Sequence, residues 1–247
     1  CFDVDHIHDL RVASRRLRGA VEQLGPFIGT ERMERLRRPI RRLTRELGLV
    51  RNLDETLLYL EKSGENELEP LRATLEQQRH QEAAQARRLL ELLDCMKLER
   101  QLRSAAATLV TPENIASQGL LALLSERNLA LYYPVHALLP LVAAPEMVEE
   151  RHALRIAVKK WRYFTELLHA ILGSRQQDLL EQLRQYQSVL GDMNDRVVIA
   201  ALLQGTLDLP EAVRASLLKN IAREQRKLLK KLCDLLIAKP ITYRFEL

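Results

Sequence analysis

The chain has 247 residues, a hydrophobic content of 47% and a formal net charge of +5. This composition argues against a disordered polymer, and no apolar run long enough to predict a membrane span is present. Three scattered cysteines without a C-x-x-C pair argue against a disulfide framework or a cysteine metal site, so the cytoplasm is the predicted compartment.

Apolar residues recur at helical spacing along nearly the whole chain, which predicts an all-α fold of antiparallel helical bundles. In chain order, the predicted helices are 6–24, 31–47, 50–62, 67–108, 113–130, 147–172, 174–190, 193–204 and 210–238. Gly48 and Gly191 are expected to end helices in the left-handed conformation. Asn194 and Asp195 then fall where an N-cap of the following helix would stand.

The first predicted helix carries a row of cations beside a histidine. On a wheel of about 100° per residue, four side chains share one stripe: His8, Arg11, Arg15 and Arg18. The apolar side chains fall on the opposite side: Leu10, Ala13, Leu17, Val21 and Leu24. Like charges one turn apart repel each other, and no acid is interposed, so a bound polyanion would stabilise the helix.

This pattern returns later in the chain. HDLRVASRRLR, which starts at His8, reappears as HALRIAVKKWR, which starts at His152, and 152 − 8 = 144. A second pair of blocks, LGLVRN and LGDMND, places Gly191 at 191 − 48 = 143 from Gly48. Two blocks in register predict a duplicated unit, with one repeat at 1–110 and the other at 111–247.

The two predicted repeats differ before the histidine helix. In the second repeat, 35 residues (112–146) precede it, whereas only seven precede His8. We therefore expect that the first repeat lacks an N-terminal helix equivalent to 113–130.

Further cations extend the candidate binding surface to a long groove. Residues 11–45 contain 11 Arg against 3 Glu and no Asp, which predicts a local positive field. A second stripe has the spacing 3, 1, 3: Arg38, Arg41, Arg42 and Arg45. Arg79 and Arg223 are again 144 positions apart, and Lys227 and Lys230 follow on the second element.

The two histidine blocks, together with the two Leu-Gly blocks, resemble the CHAD family, named for its conserved-histidine α-helical domain. The resemblance covers essentially the whole chain. It implies two four-helix bundles with pseudo-twofold symmetry and a basic central surface that binds inorganic polyphosphate, with association to polyphosphate granules. The matching positions are His8, Arg11, Arg15, Arg16, Arg18, His152, Arg155, Lys159, Lys160, Arg162 and Tyr163. Asn52 stands where the family usually has Asp.

Other functions are weighed against this one. We find no P-loop, no His-Glu-x-x-His and no serine elbow, so we predict a non-catalytic protein without cofactor or metal. His6, His8, Asp5 and Asp9 could suggest a metal site, but side chains two apart on a helix diverge. An accessory module of a phosphohydrolase and a scaffold for acidic partners stay open. A nucleic-acid or general polyanion binder is the main alternative, although 4% aromatic content offers few stacking surfaces.

Overall fold

The computed structural model describes residues 4–64, 66–109, 119–172, 176–206 and 209–242. These ranges contain eight α-helices and no strand, which confirms the all-α prediction. The helices are α1 (Val4–Ile28), α2 (Thr30–Ser63), α3 (Glu69–Leu92), α4 (Cys95–Leu109), α5 (Gly119–Leu138), α6 (Val148–Leu172), α7 (Gln177–Gly205) and α8 (Glu211–Ala238). None of the helices in these ranges combines the length and the apolar content needed to cross a bilayer.

The chain divides into two compact units, Cys1–Ala122 and Leu123–Leu247. The first unit contains α1 to α4, and the second contains most of α5 with α6 to α8. The predicted repeat boundary at 110/111 and the predicted start of the helix 113–130 lie in 110–118, outside the described residues. The pseudo-twofold relation, and the expectation that the first repeat lacks a helix equivalent to 113–130, stay predictions.

The core of the first unit follows a seven-residue repeat on α1. Ile7, Ser14 and Val21 are buried, and Leu10 and Leu17 pack beside them. This seam agrees with the predicted apolar side of the wheel, except that Ala13 is exposed. Ala13 was expected in the core, but it lies at the edge of the seam, where the neighbouring helices do not cover it.

The same seam occurs 144 positions later on α6. Leu154, Val158 and Trp161 are fully buried there, which confirms that Trp161 belongs to the core. Its indole Nε1 donates a hydrogen bond of 2.8 Å to Oδ1 of Asn128 on α5. A buried indole needs such an acceptor, so this bond ties α5 to α6.

The predicted helix ends at Gly48 and Gly191 are wrong. Gly48 lies within α2 and Gly191 within α7, and both helices are continuous. Burial explains the difference, because the core contains residues before and after each glycine. Leu47 and Val50 are buried around Gly48, and Leu190 and Met193 are buried around Gly191. Among the described residues, positive φ occurs at Gly29 (83°) and Gly64 (68°), which follow α1 and α2.

Other predicted boundaries also require correction. Asn194 and Asp195 lie inside α7 and are not N-caps. The predicted helix 67–108 is interrupted between α3 and α4, where Oδ1 of Asp94 accepts a 2.8 Å hydrogen bond from the backbone N–H of Lys97. Asp94 thus caps α4 in the usual way for an acidic residue at a helix start. The predicted helix 174–190 begins in 173–175, outside the described residues.

Candidate polyanion-binding surfaces

The histidine stripe of α1 lies between the core seam and solvent. His8 and Arg16 are exposed, whereas Arg11, Arg15 and Arg18 are half-buried. Nε of Arg18 lies 3.6 Å from Oε1 of Glu22 one turn later, and Arg11, Arg15 and Arg16 also take part in interactions within the protein. The stripe itself therefore reaches solvent mainly at His8, and Arg16 is an exposed cation outside it.

The stripe of α2 is an open cationic surface. Its four members, Arg38, Arg41, Arg42 and Arg45, are all exposed. Nε of Arg38 lies 3.8 Å from Glu34, and Arg45 donates a 2.6 Å hydrogen bond to Glu46. Neither Arg41 nor Arg42 forms an ion pair or hydrogen bond with any part of the chain that the structure describes. These two guanidinium groups are therefore available to an external anion.

Arg79 and Arg223 occupy repeated positions but have different surroundings. Nε of Arg79 donates a 2.6 Å hydrogen bond to Oδ1 of Asp54, whose side chain is only 2% exposed. This buried ion pair joins α2 to α3. Arg223 is exposed, and the position that corresponds to Asp54 is Val197, since 54 + 143 = 197. Arg79 is thus a scaffold residue, and only Arg223 is open to ligand.

On α6, the predicted cations separate into two groups. His152 and Lys160 are exposed, and Arg155 and Lys159 are half-buried. Arg162 is 11% exposed, its Nη1 lies 3.3 Å from Oε1 of Glu166, and its guanidinium lies 4.7 Å from the ring centroid of Tyr163. Arg162 and Tyr163 therefore belong to an internal cluster at the edge of the stripe.

The last predicted cations form a face on α8. Arg223, Lys227 and Lys230 lie at positions i, i+4 and i+7, which share one side of a helix. All three are exposed, and no acidic partner lies within ion-pair distance of them among the described residues. The second unit thus presents a cationic face of its own.

His152 has a partner that the sequence analysis missed. Its Nδ1 lies 2.8 Å from Oδ1 of Asn194 on α7, and the amide nitrogen of Asn194 lies 3.5 Å from Oδ1 of Asp195. Because the amide nitrogen faces a carboxylate, the amide oxygen faces the histidine, and Nδ1 must carry the proton. The Leu-Gly block of the second repeat, which contains Asn194, was the available signal, although its spacing alone predicts a cap.

The first repeat lacks this partner. The residue that corresponds to Asn194 is Arg51, since 194 − 143 = 51. Arg51 forms an ion pair with Glu55 on its own helix. His8 and His152 therefore occupy repeated positions but are not equivalent in their hydrogen bonding.

A pocket of about 390 Å³ lies beside His152, between α6, α7 and α8. Leu190, Met193 and Leu229 form much of its floor, and Asn194 and Arg226 contribute polar groups. The walls are mostly apolar, so this pocket differs in character from the cationic stripes.

Arg151, next to His152, was also missed as a structural residue. It is 8% exposed, and its guanidinium donates hydrogen bonds to the carbonyl oxygens of Val142 (3.2 Å), Ala144 (2.5 Å) and Pro145 (2.7 Å). Burial lowers the pKa of Arg151, while these carbonyls satisfy its donors. Arg151 therefore holds the segment before α6 in place. The sequence signal for this structural role was its position, which lies 144 residues after the buried Ile7.

The described residues contain no group of three or more His, Cys, Asp or Glu side chains that could hold a metal ion. The metal site considered for Asp5, His6, His8 and Asp9 therefore gains no support. The absence of a cofactor and of catalysis stays a prediction.

Comparisons with known proteins bear on the family and the fold. The chain matches the family model of the CHAD domain over residues 2–204. It is similar to the crystal structure of the CHAD domain from the plant Ricinus communis, with a TM-score of 0.70, 23% identity, and coverage of 96% of this chain and 82% of that chain. It is also similar to PptA from Streptomyces chartreusis, with a TM-score of 0.61, 15% identity, and coverage of 95% and 89%. No curated protein gives a significant match.

Proposed function

The chain belongs to the CHAD family, and from this premise we propose that it binds inorganic polyphosphate and catalyses no reaction on it. The observation that carries the proposal is the exposed stripe of α2, in which Arg41 and Arg42 have no partner among the described residues. A row of neighbouring cations without counterions is unfavourable alone and is stabilised by a linear polyanion.

The chemistry of the stripe suits phosphate. Guanidinium groups offer paired donors that match the oxygen atoms of a phosphoryl group, and they stay charged at every physiological pH. Each contact also releases counterions, so that affinity falls with salt. The four members of the α2 stripe are all arginines. We therefore assign Arg38, Arg41, Arg42 and Arg45 as the main contacts in the first unit.

The other cations have graded roles in the proposal. His8, Arg16, His152, Lys160 and the α8 face of Arg223, Lys227 and Lys230 are exposed and would contact additional phosphates. Arg11, Arg15, Arg18, Arg155 and Lys159 are half-buried and would contribute at the margin. For Arg79 and Arg162, the ion pairs with Asp54 and Glu166 support a structural role.

The scarcity of aromatic side chains beside the cations favours polyphosphate over nucleic acid. Proteins that bind single strands combine basic grooves with exposed aromatic rings on which bases stack. The α2 stripe contains no aromatic residue, and the chain as a whole is 4% aromatic. A ligand that carries charges but no bases fits such a surface better.

The test is calorimetric titration with long-chain polyphosphate at physiological salt, with single-stranded DNA at matched phosphate concentration. We expect R41E/R42E to reduce polyphosphate affinity at least about tenfold, since two charge-assisted contacts become repulsive. R103E/R184E is the matched control, because it makes the same charge change at exposed positions outside the predicted site. An equal loss of polyphosphate affinity in both variants would show that net charge alone, and not the α2 stripe, determines binding.

Two further outcomes would overturn the proposal. Equal affinity for DNA and polyphosphate would indicate a general polyanion binder, and release of inorganic phosphate during the titration would indicate catalysis. The proposal also places the protein in the cytoplasm at polyphosphate granules. A fluorescent fusion whose distribution does not follow stained polyphosphate would contradict that location.

A further inference from the structure

A second concave surface lies in the first unit, between the start of α2 and α4. Its volume is about 300 Å³, and the fully buried Leu36 contributes to its base. The polar lining consists of Arg32, Arg35, Lys97, Arg100, Gln101 and Ser104. None of these residues belongs to the histidine stripe or the α2 stripe, so the pocket is a separate feature.

The pocket concentrates positive charge. Its lining contains four cations, and Glu31 pairs with one of them, Arg35, which leaves an excess of 4 − 1 = 3. Glu99 on α4 does not reduce this excess, because it forms an ion pair of 2.8 Å with Arg103. The side chains of Lys97 and Arg100 are exposed and make no hydrogen bond or ion pair within the part of the chain that the structure describes.

One of the cations is held in place by the opposite helix. Nη2 of Arg32 on α2 donates a 2.7 Å hydrogen bond to Oγ of Ser104 on α4. This bond fixes the guanidinium against the pocket wall, so less conformational freedom is lost when an anion binds. The remaining donors of Arg32 and the amide of Gln101 add hydrogen bonds suited to phosphoryl oxygens.

We propose that this pocket binds a compact oligophosphate group that carries three or more negative charges, as in inorganic triphosphate or the triphosphate of a nucleotide. Its volume lies at the low end of small-ligand sites, which span roughly 300–1,000 Å³. Three uncompensated cations match three negative charges, and a single phosphate would leave most of them unused. No aromatic side chain lines the pocket, so the phosphates and not a base are recognised.

The residues chosen for substitution separate this pocket from the α2 stripe. At about 100° per residue, Arg35 lies on the side of α2 that carries Arg38 and Arg42, so it is left unchanged, whereas Arg32 lies at least about 80° away from each stripe member. Lys97 and Arg100 lie on a different helix altogether. Short ligands and substitutions on α4 therefore test the pocket without altering the surface proposed for long polyphosphate.

The experiment is calorimetric titration of the full chain with inorganic triphosphate, ATP and AMP at physiological salt. We expect K97Q/R100Q to weaken triphosphate binding at least about tenfold, because two charge-assisted contacts are lost. The matched control R41Q/R42Q removes the same charge from the α2 stripe and should leave triphosphate affinity within about twofold. Both variants change exposed side chains, and circular dichroism melting checks that each protein is folded.

The ligands separate the possible sources of the phosphate. Binding of both inorganic triphosphate and ATP, with AMP at least tenfold weaker, supports recognition of the triphosphate group, and binding of only one of the two supports the proposal for that source. AMP binding as tight as ATP overturns it, and so does equal loss in both variants or no binding of any ligand. Long polyphosphate, titrated in parallel, should lose affinity in R41Q/R42Q and not in K97Q/R100Q, so the two functions fail independently.

Discussion

Nδ1 of His152 donates a hydrogen bond of 2.8 Å to Oδ1 of Asn194, and this bond determines what the other ring nitrogen offers to solvent. With the proton on Nδ1, a neutral imidazole exposes the lone pair of Nε2, which repels an anion. The protonated ring exposes an Nε2–H donor instead. A neutral His152 held by Asn194 in this way therefore offers no donor to an anion at Nε2.

The first prediction concerns the orientation of the His152 ring. Replacing Asn194 with leucine should raise polyphosphate affinity by up to about tenfold, because the neutral ring could then turn its N–H to the ligand. Calorimetric titration with long-chain polyphosphate at one fixed pH measures the change.

The control for this prediction is the same substitution in a protein without the imidazole. N194L should leave the polyphosphate affinity of H152Q unchanged, because no ring remains for Asn194 to orient. An equal effect of N194L with and without His152 would show that this hydrogen bond has no part in binding.

The second prediction separates Arg79 from its repeat counterpart. R79A should lower the free energy of unfolding of the first unit by about 3 kcal/mol, because it leaves the carboxylate of Asp54 buried without a partner. R223A removes an exposed side chain and should cost at most about 0.5 kcal/mol. Urea denaturation followed by circular dichroism measures both. Similar stability of the two variants would argue against the structural role of Arg79.

The third prediction concerns the glycines inside helices. An added Cβ at Gly48 or Gly191 would meet no atom within 4 Å. G48A and G191A should each raise the free energy of unfolding by about 0.5–1 kcal/mol, since alanine favours the helix. G29A and G64A are the controls: φ is 83° and 68° there, so alanine should cost about 1 kcal/mol or more. Loss of stability in G48A would contradict a continuous α2.

These glycines also show what the sequence could and could not predict. The periodicity that buries Leu154, Val158 and Trp161 was readable, because core positions recur every three or four residues. The continuity of α2 and α7 could not be predicted in this way. Local preferences favour a helix end at glycine, whereas the burial of residues before and after each glycine keeps the helix continuous. The prediction of helix ends therefore failed where tertiary packing opposed a local preference.

The candidate site, like the fold, could be predicted from the sequence only in part. Charge and spacing identified the α2 stripe, whose side chains need no partner to stay exposed. Ion-pair partners that are distant in sequence could not be predicted. Arg79 and Arg223 share a repeat position, but Arg79 forms an ion pair with Asp54 of another helix, whereas Arg223 has no such partner among the described residues. The pocket between α2 and α4 was missed for the same reason, since Arg32 and Ser104 come together only in the folded unit.

The last prediction uses a buried tyrosine of the second unit. The hydroxyl of Tyr186 donates to the carbonyl oxygens of Leu235 (3.2 Å) and Lys239 (2.9 Å), and burial raises its pKa from 10.0 to about 12. Below about pH 10 the tyrosine is neutral in both the folded and the unfolded chain, so its contribution to stability is complete. Between about pH 10 and 12 only the unfolded chain loses the proton, and up to roughly 2–3 kcal/mol is lost.

Y186F tests this directly. It should lower the free energy of unfolding by about 1 kcal/mol at neutral pH, because the hydrogen bond is lost. Between about pH 10 and 12 its stability should fall less steeply than that of the unmodified protein, since no phenol remains to titrate at this position. Urea denaturation at pH 8, 10 and 11 gives both quantities. Parallel pH profiles for the two proteins would mean that the phenol of Tyr186 titrates alike in the folded and unfolded chains, which its burial opposes.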